Sequence, residues 1–286
     1  MILKSINYWS MPGGLDGSLS LQEFFGLAAK YKFPAVEVAV GETGGLNLST
    51  SEEECQKILA TAETEGVKIA SVASGLYWSR SVGDAEASSR SAAQGDLRKM
   101  LQITAWLGCR TLLVIPGSVD VFFNPDRAPI DYKVVWDRAS EGIRSCLDDA
   151  QRLDVRMGIE NVWNKFLLSP MEMASFIDQF GSAHVGAYVD VGNCLLYGYP
   201  QQWLRILAER VVGIHFKDFR KAVGTVEGFV DLLEGDVDWP EVKDAIKEIG
   251  YEGPIAAEMI PQYKHHPLVR VANTSAAMDA ILEAKD

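Results

Sequence analysis

Basic residues are in short supply. The chain has 27 lysines and arginines against 39 aspartates and glutamates, a net charge of -12. Nucleic-acid binders usually carry a basic face that neutralises phosphates, so this balance argues against nucleic acid as a partner. It argues equally against an anionic membrane surface. Cysteine is scarce as well. Cys55, Cys109, Cys146 and Cys194 lie far apart with no CxxC pair, which predicts four free thiols in a reducing compartment. No apolar run approaches membrane-spanning length, and Ile2–Asn7 is a short strand-like run rather than a charged region followed by a long apolar core. A cytoplasmic protein that neither crosses nor coats a membrane is therefore expected. A glycine-rich phosphate turn is missing too; Met11-Pro12-Gly13-Gly14 is a weak imitation of one.

What is present is core material. A chain of 286 residues, 48% of them hydrophobic, is ample for one large core. Eight strand candidates occur: Ile2–Asn7, Ala35–Val40, Val67–Ala73, Thr111–Ile115, Val155–Asn161, Val185–Val191, Val211–Phe216 and Ile255–Ile260. Most are near-continuous apolar runs, as expected of parallel strands buried on both faces. Helices are predicted between and after them, through 21–32, 52–65, 86–107, 132–153, 170–180, 200–209, 238–249 and 268–284. Ser20-Leu21-Gln22-Glu23 and Thr50-Ser51-Glu52-Glu53 have capping-box spacing. Ser169-Pro170 and Asp238-Trp239-Pro240 place proline where a helix tolerates it, and Gly66 and Gly108 fit helix stops. Strict strand–helix alternation implies parallel pairing with right-handed crossovers. Eight such units predict an α/β fold, a closed (β/α)8 TIM barrel forming one domain over 1–286, rather than an open doubly wound sheet.

Four stretches in the second half stand out: Ile159-Glu160-Asn161, Tyr188-Val189-Asp190, Ile214-His215-Phe216 and Ala257-Glu258-Met259. Each sets one potential metal ligand near the end of an apolar, β-branched run. Buried carboxylates are costly without a cation or hydrogen bonds. In a barrel these positions fall at the C-terminal rim, where active sites lie. Taken singly, each acid could cap a helix or pair with a lysine. Three acids and one imidazole from successive strands instead suggest one divalent-metal site with positions open for two substrate oxygens. Such an oxygen-rich set suits Mn²⁺ first, with Mg²⁺, Co²⁺ and Zn²⁺ as alternatives.

The motifs Gly158-Ile159-Glu160-Asn161, Val189-Asp190-Val191-Gly192-Asn193, Gly213-Ile214-His215-Phe216-Lys217-Asp218, and Glu234-Gly235-Asp236-Val237-Asp238-Trp239 followed by Ala257-Glu258 resemble the xylose-isomerase-like TIM-barrel superfamily of sugar phosphate isomerases and epimerases. Asp190-Val191-Gly192-Asn193 and His215-Phe216-Lys217-Asp218 are similar to the L-ribulose-5-phosphate (L-xylulose-5-phosphate) 3-epimerase branch. The resemblance implies that Glu160, Asp190, His215 and Glu258 bind the metal. It also implies that Glu160 and Glu258 transfer the proton next to a ketose carbonyl through an enediolate, one from each face. The chemistry agrees: a metal holding the carbonyl and adjacent hydroxyl makes the α-proton removable, and two opposed carboxylates can invert the centre. A small-molecule sugar or sugar phosphate is the implied substrate, and a homodimer or homotetramer the family's habit. Free-ketose 3-epimerases usually carry His where Asn193 stands and a further glutamate after the first metal glutamate. Here that region reads Asn161-Val162-Trp163-Asn164-Lys165-Phe166-Leu167. Related members isomerise hydroxypyruvate, dehydrate keto-inositols or process 3-keto-glycosides. A DNA-repair endonuclease of the same superfamily would need a three-zinc cluster and many more histidines than the four present, and a non-catalytic sugar-binding barrel would not need both bases.

Further substrate contacts are expected from Lys217, Asn193, Glu37, Arg220 and Trp163. Lys217, two residues past His215, points the same way by strand alternation and could reach substrate, orient Glu258, or pair with Asp218. Glu37 interrupts an apolar strand and could meet substrate or a neighbouring strand. Asn193 could orient a ligand, and Arg220 could face a phosphate or solvent. Trp9, Tyr77, Trp78 and Trp163 at strand ends could wall a sugar pocket or simply pack. His265 and His266 fit a solvated loop, and His184 a structural role.

Overall fold

The computed structural model describes residues 2–121, 123–124 and 126–283. Eight parallel strands close into a barrel: Leu3–Asn7, Ala35–Val40, Lys68–Ser74, Thr111–Val114, Arg156–Glu160, Val185–Asp190, Val211–Phe216 and Pro254–Ala257. Each pairs with its sequence neighbours, and the first pairs with the eighth through Ile6↔Ala257. The expected (β/α)8 TIM barrel is the observed one. Among the described residues no helix is long and apolar enough to cross a membrane. All four cysteines are free and buried.

Alternation along each strand sorts side chains into two layers. On the fifth strand Met157 and Ile159 are fully buried toward the helices, while Gly158 and Glu160 face the interior. The seventh strand sends Phe216 outward onto the Trp239 ring (4.8 Å between centroids) and turns Gly213 and His215 inward. A slip of one residue would reverse both layers, so apolar burial itself holds the polar residues inward. Gly213 is needed there. A Cβ at that position would stand 2.4 Å from the Tyr188 ring, which fills the space between strands.

Helix ends follow local chemistry. Ser51 caps Glu52–Thr64 in a full capping box with Glu54, one residue later than the expected Thr50 and Glu53 pairing. Ser169 and Asp238 accept from Glu172 and Glu241 backbone amides, and Gly66 and Gly108 take left-handed φ of 75° and 67° after their helices. The helix expected over 132–153 splits into Tyr132–Ser145 and Leu147–Leu153. Ser145 Oγ donates to Gly142 O (2.8 Å), giving the last turn an alternative to the helical ladder. The last helix is Pro267–Glu283; its expected end at 284 lies outside the described residues. An antiparallel pair, Asp218–Phe219 with Phe229–Val230, was not foreseen. It stands above the seventh strand, beside the rim.

Candidate metal centre

Register brings the rim residues together. Glu160 lies opposite Tyr188, and Asp190 opposite His215. Glu258 follows the last residue of its strand, which ends earlier than expected. Its amide still donates to Phe216 O (3.0 Å), so the pairing carries on to it. One ligand atom each from Glu160, Asp190, His215 and Glu258 lies within 4.8 Å of the others, and all four residues are buried. His215 Nδ1 sits 3.4 Å from Glu160 Oε1 and 3.8 Å from Glu258 Oε2. Nδ1 has no partner in hydrogen-bond geometry, and the buried Asp190 Oδ2 meets only the Lys217 ammonium, at 3.1 Å. Orphaned buried polar atoms are rare in folded proteins and expensive. One such atom, beside a knot of carboxylates, fits a group of divalent-cation ligands.

Hydrogen bonds hold the set from below and beside. His215 Nε2 contacts Glu37 Oε1 at 2.7 Å, and an Nε2–H donated there leaves the Nδ1 lone pair facing the acids. Glu37, with no exposure at all, also accepts from Asn7 Nδ2 (2.6 Å), Ser71 Oγ (2.7 Å) and the Tyr188 hydroxyl. Asn161 clamps the fifth strand to the sixth: its Nδ2 donates to Asp190 O (2.9 Å), and its Oδ1 accepts from Asp190 N (2.8 Å). Asp190 Oδ1 in turn caps the short helix Val191–Cys194 through Asn193 N.

The electrostatics are strained as they stand. Burial, with Glu258 and Asp190 adding and His215 opposing, pushes Glu160 up to about 7. Burial raises Asp190 likewise, against the pull of Lys217. Glu258 is lowered, because the charges of Lys217 and His215 outweigh its burial. Burial opposes charge on His215, but Glu37, Glu160 and Glu258 prevail and hold its pKa well above the usual value. A divalent ion would draw the carboxylates down and take the place of the imidazolium's charge.

The other expected residues divide. Lys217 points into the site and pairs with Glu258 and, at 3.1 Å, with Asp190, not with Asp218. Asp218 is instead the hub of the following loop, accepting from Leu233 N (3.0 Å), Val237 N (3.2 Å) and Trp239 Nε1 (3.1 Å). Asn193 and Trp163 line the cavity above the acids and bond each other, Trp163 Nε1 donating to Asn193 O at 3.2 Å. Glu37 does not reach that cavity; its carboxylate is spent under His215. Arg220 is also outside the lining. It donates to Glu234 O (3.1 Å) on the exposed side of the antiparallel pair. Trp9 and Trp78 line the cavity, whereas Tyr77 is buried elsewhere, donating to Leu113 O (2.9 Å). His265 and His266 are exposed. His184 Nδ1 lies 3.3 Å from Val155 O. Sequence reasoning gave no role to Asn7, Ser71, Tyr188 or Asn161. Of these only Asn161, directly after Glu160, carried a usable signal.

Residues 25–281 match the family model described as xylose isomerase-like TIM barrel. L-ribulose-5-phosphate 3-epimerase UlaE of Salmonella paratyphi A is 23% identical over 249 residues, 86% of this chain and 84% of the relative. A solved structure described as L-ribulose 3-epimerase superposes with a TM-score of 0.79 at 15% identity, covering 99% of this chain and 95% of that one. The IOLI protein, described with a binding zinc atom, gives 0.78 at 13% identity over 98% of each chain.

Proposed function

Since the chain belongs to the xylose isomerase-like TIM barrel family, we propose that it is a divalent-metal-dependent isomerase or epimerase moving a proton beside the carbonyl of a keto sugar or keto-sugar phosphate. The observation that carries this reading is the closure of Glu160, Asp190, His215 and Glu258 to within 4.8 Å, with the unpartnered His215 Nδ1 among them. These four would hold the ion, Mn²⁺ first. Once bound, it would polarise the carbonyl and stabilise negative charge developing on the substrate oxygens.

The chain's own groups do the rest. Glu160 and Glu258, both lining the cavity, are the two candidates to take and return the proton. Lys217 holds the Glu258 carboxylate in place and offers a positive charge to a substrate oxygen. Glu37 fixes the tautomer and orientation of His215. The names of the relatives favour a 3-epimerisation of a pentulose, phosphorylated in one and free in another.

Deuterium wash-in from D₂O at the carbon next to the carbonyl tests the reading. A pentulose, hexulose and keto-glycoside panel with Mn²⁺ should reveal exchange. Glu160→Gln should lower it by about 10²–10⁴-fold, the usual span for one general acid–base group. Full exchange in the variant would remove Glu160 from the mechanism.

A further inference from the structure

The cavity over the acids has a volume of about 470 Å³, and among its described lining residues the charged ones stand at its floor. There Glu160, Glu258, Lys217 and Asn193 converge. Its walls and mouth are built from apolar groups, aromatic ones foremost. Trp78 and Phe123 meet edge to face at 5.1 Å between centroids, and Trp163 and Phe229 lie tilted at 5.0 Å. The Trp163 indole is held by its bond to Asn193 O, which makes it a fixed platform. At the mouth Leu15 and Phe123 are 57% and 53% exposed. Large apolar groups at that exposure around a cavity mark a surface that gains from being covered.

The charge distribution points the same way. Among the described lining residues Lys217 is the sole cation, and Asp190 and Glu258 already engage it. A phosphate at the far end of a sugar needs an arginine, a lysine or a cluster of backbone amides to repay its desolvation. Neighbouring basic groups are committed elsewhere: Arg220 pairs with Glu234, and Lys221 Nζ lies 5.5 Å from the centre of the Tyr199 ring. Both are outside the lining. A dianion entering past apolar walls, in a protein of net charge -12, would meet no compensating charge among the described lining residues short of Lys217 and the ion the acids would hold.

We propose that the substrate is an uncharged keto sugar carrying an apolar substituent of aromatic size, the sugar's carbonyl end seated at the acids and the substituent between Trp78, Phe123, Trp163 and Phe229. The assignment of the carbonyl end rests on the proton-transfer reading above; the choice of an uncharged, apolar-tailed ligand rests on the walls.

Two readouts separate the two ideas. Tryptophan fluorescence of the Mn²⁺-loaded protein, titrated with phenyl and methyl 3-keto-β-glucosides and with L-ribulose and its 5-phosphate, reads the ligand class. Deuterium exchange with the same compounds reads the chemistry. The phenyl compound should bind about tenfold more tightly than the methyl one, and the phosphate should weaken the binding of ribulose. Phe123→Ala, at a position 53% exposed, should bring the phenyl-to-methyl ratio toward one, with circular dichroism checking that the fold is kept. A phenyl-to-methyl ratio of one in the unsubstituted protein, or tighter binding of the phosphate than of free ribulose, each overturns the proposal. Phenyl preference without any deuterium exchange sinks the proton-transfer reading and leaves this one standing. Exchange on the phosphate with no phenyl preference does the reverse.

Discussion

Glu37 sits inside the barrel with no exposure, yet it stays ionised because donors from four strands converge on it: Asn7, Ser71, Tyr188 and His215. Burial alone would raise its pKa, but the charge of His215 and these hydrogen bonds bring it down to about 2. A folded value below the unfolded 4.5 means that this stabilisation is complete above pH 4.5 and is lost as pH falls toward 2. Of the contacts expected of it, to substrate or to a neighbouring strand, the structure shows the second, one layer below the cavity. Glu37→Gln keeps the shape and removes the charge, and its amide must turn donors toward donors. Metal affinity should fall by about 10–100-fold, the usual effect of losing a partner that orients a ligating histidine. Calorimetric titration with Mn²⁺ measures it, and an unchanged affinity would detach Glu37 from the site.

At the scale of elements, the barrel strands were legible because a parallel strand buried on both faces is a near-continuous apolar run. Val211–Phe216 and Ala35–Val40 match their expected spans. The antiparallel pair over the site was not legible. Two-residue strands carry no periodicity, and the bonds that fix them come from Asp218, which looked like a partner for Lys217. The four rim residues could be found in advance since each ends an apolar run with a ligand type. The support beneath them could not, since Asn7, Ser71 and Tyr188 lie on separate strands and meet Glu37 only once the barrel closes. Asp218 yields a prediction at this scale. Its hydrogen-bond partners Phe219 N (2.8 Å), Leu233 N, Val237 N and Trp239 Nε1 (3.1 Å) all donate to it. Asp218→Asn would place an amide NH₂ among donors, at a cost of about 1–3 kcal/mol. Thermal unfolding should show the loss. Hydrogen exchange should show it concentrated in 218–238 rather than spread through the barrel. Uniform loss across the barrel would count against the loop having a stability of its own.

For the whole molecule, the site ties stability, pH and metal together. Without an ion, Glu160 is raised to about 7 and His215 well above its usual value. Groups whose folded pKa lies above the unfolded one give stability that is complete below the unfolded value and is lost as pH rises through the folded one. For Glu160 that window runs from 4.5 to about 7, and His215 begins its decline at 6.5, so both push in the same direction. Glu37 and Glu258 are lowered and contribute no slope above 4.5. The Tm of the chelator-treated protein should therefore fall between about pH 5 and pH 8. An ion reverses the slope, because its ligands must shed their protons before they bind, and binding tightens as they do. The rise in Tm on adding Mn²⁺ should be small at the acid end and large at the alkaline end. The corresponding stabilisation should approach the roughly 2.7 kcal/mol that mass action supplies when free ion stands at a hundred times its dissociation constant. Scanning calorimetry at both pH values, with chelator and with Mn²⁺, reads all four conditions. Glu160→Gln should flatten the metal-free slope, since it removes the group titrating in that window. An ion increment independent of pH would mean that Mn²⁺ binds somewhere other than at these acids.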